Sequence, residues 1–454
     1  MSAKHRFTPR GLAAILCGAL LLGMLWRVRG TNGWGSSWGL LNAGVVFLLF
    51  LNTAVGRRTP ASLPLIALSG GAFMLTVPAW GTYLDQITGY LSVRVGDGDP
   101  VRYEISPASG VIMMLILGFG LASIYGVLLG RAYGEKAWRF RDYALVLLVF
   151  IVVDLAAKAS ISHLLVKAIE PQAVTAFQDG LKAEGLSPDA YAAYMSHFSA
   201  VSWAKKLLGG RNYFSSVGTV SLAIAAVAVI LTARFAVKDK YAAKTGAFVC
   251  GAFAVAITIA DLFFYFGNGG YRMAQGFSLP DTFAPWSLWE YFTGFLAGGM
   301  ITAWLIKTSK ETQERETLLS KLPDKAGSVF SFLLCAVVAV GLNVVRPVLV
   351  RNEKNIALCV IFSALTGIGV LAASLLYRKK KGRPINVEDM RALSPALALF
   401  FVLYITVVYL FIGRPEITNI RMLHTVLVVV SAVALGIWCV FAIKRSRLDP
   451  TAEL

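Results

Sequence analysis

The chain reads as an all-α polytopic membrane protein of about 12 transmembrane helices, and three observations predict it. Charged residues make up only 15% of its 454 positions and hydrophobic ones 57%, against about 25% and roughly 45–50% in a soluble domain. Apolar stretches able to cross about 30 Å of hydrocarbon recur from residue 11 to residue 443. The connections between them alternate in basic charge, and every connection on one side carries lysine or arginine, which is how a membrane chain sets its orientation. No long polar stretch interrupts the pattern, so residues 1–454 form a single transmembrane domain.

The spans are expected at 11–26, 38–55, 62–81, 110–130, 143–166, 214–235, 246–267, 288–306, 327–349, 356–377, 394–413 and 421–443. The third is expected to run on as far as Leu91. Their length, and the lack of ten-residue alternation, predicts helices rather than barrel strands. The first is read as a retained helix and not a cleaved leader, because Arg27 and Arg29 follow it directly with no small-residue cleavage site. Basic runs at Arg57–Arg58, Arg378–Lys381 and Lys444–Arg445 place the N- and C-termini in the cytoplasm. Thr308 and Glu311 suggest a capping box for a short polar helix through Leu322.

On the outer side, the long connection 167–213 is expected to form an extracytoplasmic cap. Ser187-Pro188-Asp189 supplies a capping hydroxyl, a proline for the first helical position and an acid for the first turn. Tyr191, Met195, Phe198 and Val201 then follow at helical spacing, as in an amphipathic helix lying on the membrane surface. Within the spans, the pairs Gly126/Gly130 and Gly294/Gly298 have the small-xxx-small spacing that lets membrane helices approach closely.

The net charge of +18 is spread over short runs that cap apolar segments, a pattern of membrane orientation and not of nucleic-acid binding. Five cysteines, Cys17, Cys250, Cys335, Cys359 and Cys439, all fall inside apolar segments without CxxC spacing, so buried thiols are expected and no metal cluster or disulfide framework. The four histidines are scattered, and the sequence calls for no cofactor and no metal. The partners it does call for are the lipid bilayer and a small anionic or lipid-linked substrate.

Ionisable residues inside a membrane are costly, so each is a candidate functional group. Asp154 and Lys158 lie four residues apart in the fifth segment, where they form either a structural ion pair or an ion-coupling relay. His163 is half a turn out of phase with Asp154 and is expected to face elsewhere. Asp261 stands before four consecutive aromatics, and Glu290 opens the eighth span within Trp286–Tyr291. Arg27 and Arg29, in the glycine- and tryptophan-rich connection 27–37, work against the orientation bias. Arginine gives bidentate bonds to carboxylate or phosphate, so these two, with Arg272 and Arg346, are the substrate-binding candidates. Asp85 lies at similar depth. Projected onto the topology, Arg27, Arg29, Asp85, Asp261, Arg272, Glu290 and Arg346 all sit at or near the outer leaflet.

Twelve spans and Gly56-Arg57-Arg58 between the second and third resemble the major facilitator superfamily, but the signature's upstream Gly and Asp are out of register and the long central cytoplasmic loop is missing. No family follows from these residues. Three functions are consistent with the pattern. A secondary transporter in the cell membrane would recognise an anion with its arginines and couple ions through Asp154 or Asp261. A membrane-embedded transferase or hydrolase would act on a lipid-linked, phosphate-bearing substrate at the outer leaflet, with Asp261, Glu290 or Asp85 as general base. A non-catalytic subunit of an envelope assembly would need neither.

Overall fold

The computed structural model of the chain describes residues 8–29, 37–55, 61–76, 90–93, 101–183, 185–196, 213–263, 281–309, 390–412 and 422–448. The described residues are helical apart from one short strand pair. In chain order the helices are α1 (Pro9–Arg29), α2 (Ser37–Ala54), α3 (Leu63–Met74), α4 (Pro107–Leu121), α5 (Ser123–Tyr133), α6 (Phe140–Lys158), α7 (Ile161–Ile169), α8 (Pro171–Ala183) and α9 (Ala190–Ser196). After them come α10 (Tyr213–Leu231), α11 (Lys240–Ala260), α12 (Pro285–Thr308), α13 (Met390–Val407) and α14 (Leu423–Leu448). Five described helices are long and apolar enough to cross a membrane, and up to seven if each bent pair is one span. Those pairs are α4–α5, bent by 46°, and α6–α7, bent by 62°.

The helices α1 and α12 run antiparallel, as do α5 and α11. Gly18 of α1 lies against Thr302 of α12, and Gly23 against Tyr291, so the two helices lie side by side over most of their length. A Cβ at Gly294 or Gly298 would collide with the α1 backbone at Leu22 and Gly18. Along α5, a Cβ at Gly130 would meet Ala242 Cα of α11 at 2.5 Å, and one at Gly126 would meet Val249 Cβ at 2.9 Å. Both glycine pairs therefore work as the sequence predicts, by admitting a neighbouring backbone.

Burial separates the inner helices from the outer ones. The half of α1 from Leu21 to Arg29 is buried throughout. By contrast, α14 exposes Val426, Val430, Val433, Ile437 and Phe441, and α6 exposes Leu148, Ile151, Val152 and Leu155. These apolar stripes recur at helical spacing on outward faces, where a bilayer takes the place of a protein neighbour. Cys17, Cys250 and Cys439 are free thiols buried in the interior.

Several boundaries differ from expectation. The first helix is longer than 11–26 and takes in Arg27 and Arg29, which are its last turn and not part of an outside loop. Cations at a helix C-terminus are favoured by the backbone dipole. The third span does not reach Leu91: α3 ends at Met74, and Tyr90–Val93 pairs antiparallel with Val101–Glu104, Leu91 opposite Tyr103. Thr308 still belongs to α12, donating to the Trp304 carbonyl, and residues 310–322 lie outside the described set, as do the spans expected at 327–349 and 356–377.

The region 167–183 also forms more structure than expected. The amphipathic helix α8 buries Ala173, Ala176, Phe177, Gly180 and Leu181. The following helix, α9, begins at Ala190, two residues later than read from Ser187, and its cap is Asp189, whose Oδ1 accepts the Ala192 N–H at 3.0 Å. Tyr191 and Met195 are exposed on α9, as an outward apolar face requires. Phe198 and Val201 lie outside the described residues.

Candidate functional site

The C-terminal end of α1 carries the most unusual chemistry in the described residues. A rise of about 1.5 Å per residue carries this helix about 25 Å from Arg10 to Arg27. Arg10 lies beside Arg445, near the end of α14, so Arg27 and Arg29 stand at the opposite end of the helix bundle. They are nevertheless 3% and 1% exposed. Both reach Glu290 in the second turn of α12. Arg27 Nη1 donates to Glu290 Oε2 at 2.7 Å, and Arg29 Nη2 donates to Oε1 at 3.3 Å. One carboxylate is thus held by two guanidiniums across the close α1–α12 seam.

The surroundings fix these side chains. Arg29 Nε donates to the Trp26 carbonyl at 3.3 Å, and its guanidinium lies 4.8 Å from the centre of the Trp26 ring. Gly39 of α2 makes room for it, since a Cβ there would meet Arg29 Cγ at 2.5 Å and Cα at 2.8 Å. The Arg27 guanidinium lies 5.9 Å from the Tyr409 ring centre, a cation–π distance, and the side chains of Arg27 and Thr425 approach the Tyr409 hydroxyl. Tyr409 stands in the π-helical turn Val408–Ile412 that continues α13, a local form common at functional sites. Among the described residues, the buried Arg27 Nε has no hydrogen-bond partner. Four helices, α1, α12, α13 and α14, therefore meet at a cationic, aromatic-walled cluster.

Below the cluster the aromatic rings continue. Trp26 lies 5.9 Å from Phe73 and 5.1 Å from Phe253, and Phe73 stacks on Tyr125 at 4.4 Å. This floor is apolar and water-excluding, which strengthens every charge interaction above it.

A second cluster occupies the α6–α7 bend. Lys158 Nζ donates to Asp154 Oδ2 at 2.5 Å, and Ser221 Oγ of α10 donates to Asp154 Oδ1 at 2.6 Å. His163, read from its phase as facing elsewhere, meets the main chain of Lys158. The break after Lys158 resets the helix phase and leaves the Lys158 carbonyl open, and His163 Nε2 bonds it at 2.6 Å. A carbonyl only accepts, so Nε2 carries the proton and Nδ1 accepts from the Tyr213 hydroxyl at 2.7 Å. The rings of Tyr191 and Tyr194 stand edge-on to the imidazole at 4.8 and 4.7 Å. Glu170, fully buried, accepts from Ser216 Oγ at 2.7 Å.

Of the residues singled out by sequence, the structure joins Arg27, Arg29 and Glu290 in one cluster, and Asp154 and Lys158 in another. Asp261 is buried at the C-terminus of α11, its N–H donating to the Ile257 carbonyl. Asp85, Arg272 and Arg346 lie outside the described residues. Sequence reading missed Tyr409, Thr425, Ser221 and Glu170. The first three carry no signal in an apolar segment, and Glu170 before Pro171 looks like a loop acid. No protein-family model matches the chain, and no curated protein or solved structure matches it significantly.

Proposed function

We propose that the chain is a twelve-span protein of the cell membrane, both termini cytoplasmic, that carries a small anionic or lipid-like substrate as a secondary transporter. One observation carries this reading. Two buried arginines share a single carboxylate, and Arg27 keeps a buried Nε–H donor with no acceptor among the described residues. A donor left unsatisfied in this way costs about 1–3 kcal/mol. An oxyanion entering from the outer side supplies the missing acceptor. Trp26 and Tyr409 would hold the apolar part of such a substrate, and Asp154 with Lys158 would couple its movement to an ion. Up to seven described helices or bent pairs are long and apolar enough to span; in this reading the shorter α2 and α3, α12 and the segments at 327–349 and 356–377 would supply the other five.

The test is uptake into liposomes holding the purified protein, driven by a pH or sodium gradient, across a panel of carboxylates and phosphate esters. Gradient-driven uptake of at least one anion, lost in Arg27→Gln, is expected. No uptake across the panel overturns the reading.

The position of the cluster favours a second reading. Transporters place their sites near the bilayer midplane, whereas Arg27 and Glu290 stand near one boundary, as suits a transferase or hydrolase acting on a lipid-linked phosphate. Both Glu290 oxygens are engaged by arginine, so in this arrangement the carboxylate holds the arginines and does not serve as a base. Accumulation of one phosphate-bearing lipid precursor in cells lacking the protein would favour the enzyme.

A further inference from the structure

Arg27 spends only part of its guanidinium on the protein. Nη1 goes to Glu290 at 2.7 Å, while Nε–H, on the opposite edge of the group, meets no acceptor among the described residues. Such an edge fits two oxygens of a phosphate or carboxylate at once. The two side chains that flank the guanidinium, Glu290 of α12 and Tyr409 of the π-helical turn after α13, are bordered by apolar groups on the outside of the bundle. Trp286 lies four residues before Glu290, on the same helix face and nearer the end of the bundle, and is half exposed. Phe411 shares the π-helical turn with Tyr409 and is 80% exposed, whereas Tyr409 is fully buried. On this side Tyr409 stands between the guanidinium and an exposed apolar surface.

That surface has a length as well as a position. Phe400, Leu403, Val407 and Phe411 are all exposed and follow one another at helical spacing along α13 and its π-helical turn. A rise of about 1.5 Å per residue makes this stripe about 17 Å long, close to the roughly 15 Å of hydrocarbon in one leaflet. The apolar stripe of α6 differs, because it ends at Lys158, whose ammonium is already matched by Asp154 at 2.5 Å. The α13 stripe ends beside a cation with a donor unspent. Resting on the reading of Arg27 as a receiver of an oxyanion, we propose that this oxyanion is the phosphate of a lipid. The acyl chain lies along the α13 stripe, Trp286 borders the headgroup, and the phosphate takes the Arg27 Nε–H past Tyr409. A water-soluble anion offers the same charge but nothing to cover the stripe. An apolar track of leaflet length that ends at a buried donor selects the lipid.

The experiment places a quencher on the lipid and reads Trp286. The full chain is held in phosphatidylcholine nanodiscs with a rising fraction of phosphatidic acid brominated on its acyl chains, and in a matched series with the bromine on phosphatidylcholine. The Trp286 signal is the fluorescence that Trp286→Phe removes, an exchange of one exposed aromatic for another. Phosphatidic acid is expected to quench it at a mole fraction about 10-fold lower than phosphatidylcholine, the effect of about one hydrogen bond to a charged group. Arg27→Lys keeps a cation beside Glu290 and removes the Nε–H donor, so it is expected to bring the two series together.

Coincident series in wild type overturn the lipid, as does a difference that persists in Arg27→Lys. The wild-type comparison decides the matter even if Arg27→Lys fails to fold. Calorimetric titration of glycerol 3-phosphate into nanodiscs without phosphatidic acid separates the lipid from the anion reading beneath it. Binding of glycerol 3-phosphate together with coincident lipid series means a water-soluble anion at Arg27, so the anion reading stands and the lipid falls. No binding of glycerol 3-phosphate together with coincident series removes both.

Discussion

At the scale of single residues, Arg27, Arg29 and Glu290 dominate. Removing one partner of a buried ion pair strands the other charge, at a cost of about 3–5 kcal/mol. Glu290→Gln is therefore expected to destabilise the protein by about that much in detergent-denaturation curves, and more than either single arginine change, because it strands two guanidiniums. Arg27→Gln combined with Glu290→Gln should cost less than the sum of the two; additivity would mean they act independently. The sequence already pointed to both arginines, because they break the orientation bias, and separately to Glu290. Their union was not legible, since nothing in a one-dimensional pattern pairs residue 27 with residue 290. The helix boundary hid them as well. Arginine at a membrane edge looks like a loop residue until a buried carboxylate explains why the helix continues through it.

At the scale of elements, the α1–α12 seam and the α9 cap carry the testable content. Gly294→Leu would press a side chain into the α1 backbone at Leu22 and should part the two helices, shifting Glu290 from Arg27. The expected result is a loss of folded yield or of thermal stability of roughly the same size as Glu290→Gln; wild-type stability would mean that the close approach is dispensable. In the cap, burial first and the Asp154 charge second hold the Tyr194 phenol up at about 12, above the value of about 10 for an unfolded chain. A raised folded value means that the contribution of this residue is complete below about pH 10 and is lost as the pH climbs through about 12. Ultraviolet titration of wild type against Tyr194→Phe checks this. The glycine spacing of the seam was visible in the sequence. The strand pair at Tyr90–Val93 and Val101–Glu104 was missed because a continuing apolar run took precedence over alternation. The bends in α4–α5 and α6–α7 were missed because neither break contains proline or glycine.

At the scale of the whole molecule, membrane residence was the most legible property. It rests on composition and segment length, which average over many residues and tolerate errors at any boundary. Orientation rests on the basic loops, and it predicts that an alkaline phosphatase fused after Arg383 is inactive and that a cytoplasm-active reporter at the same site is active. The reverse pair of results would invert the topology and turn the arginine cluster toward the cytoplasm. Function was much less legible, because it depends on which side chains from distant helices meet, and the chain has no matching family to supply that information.

The central claim is that Arg27 and Arg29 receive an oxyanion. It is tested most directly by the melting temperature of the purified protein in phosphatidylcholine nanodiscs. Melting is followed as inorganic phosphate is titrated in, and separately as phosphatidic acid is included in the bilayer, so that free and lipid-borne phosphate are distinguished. A ligand at about 100 times its dissociation constant stabilises by about 2.7 kcal/mol. Wild type is therefore expected to melt several degrees higher with at least one form, and the Arg27→Gln/Arg29→Gln variant to show no shift. Equal shifts in both proteins, or no shift in wild type with either form, would contradict the claim.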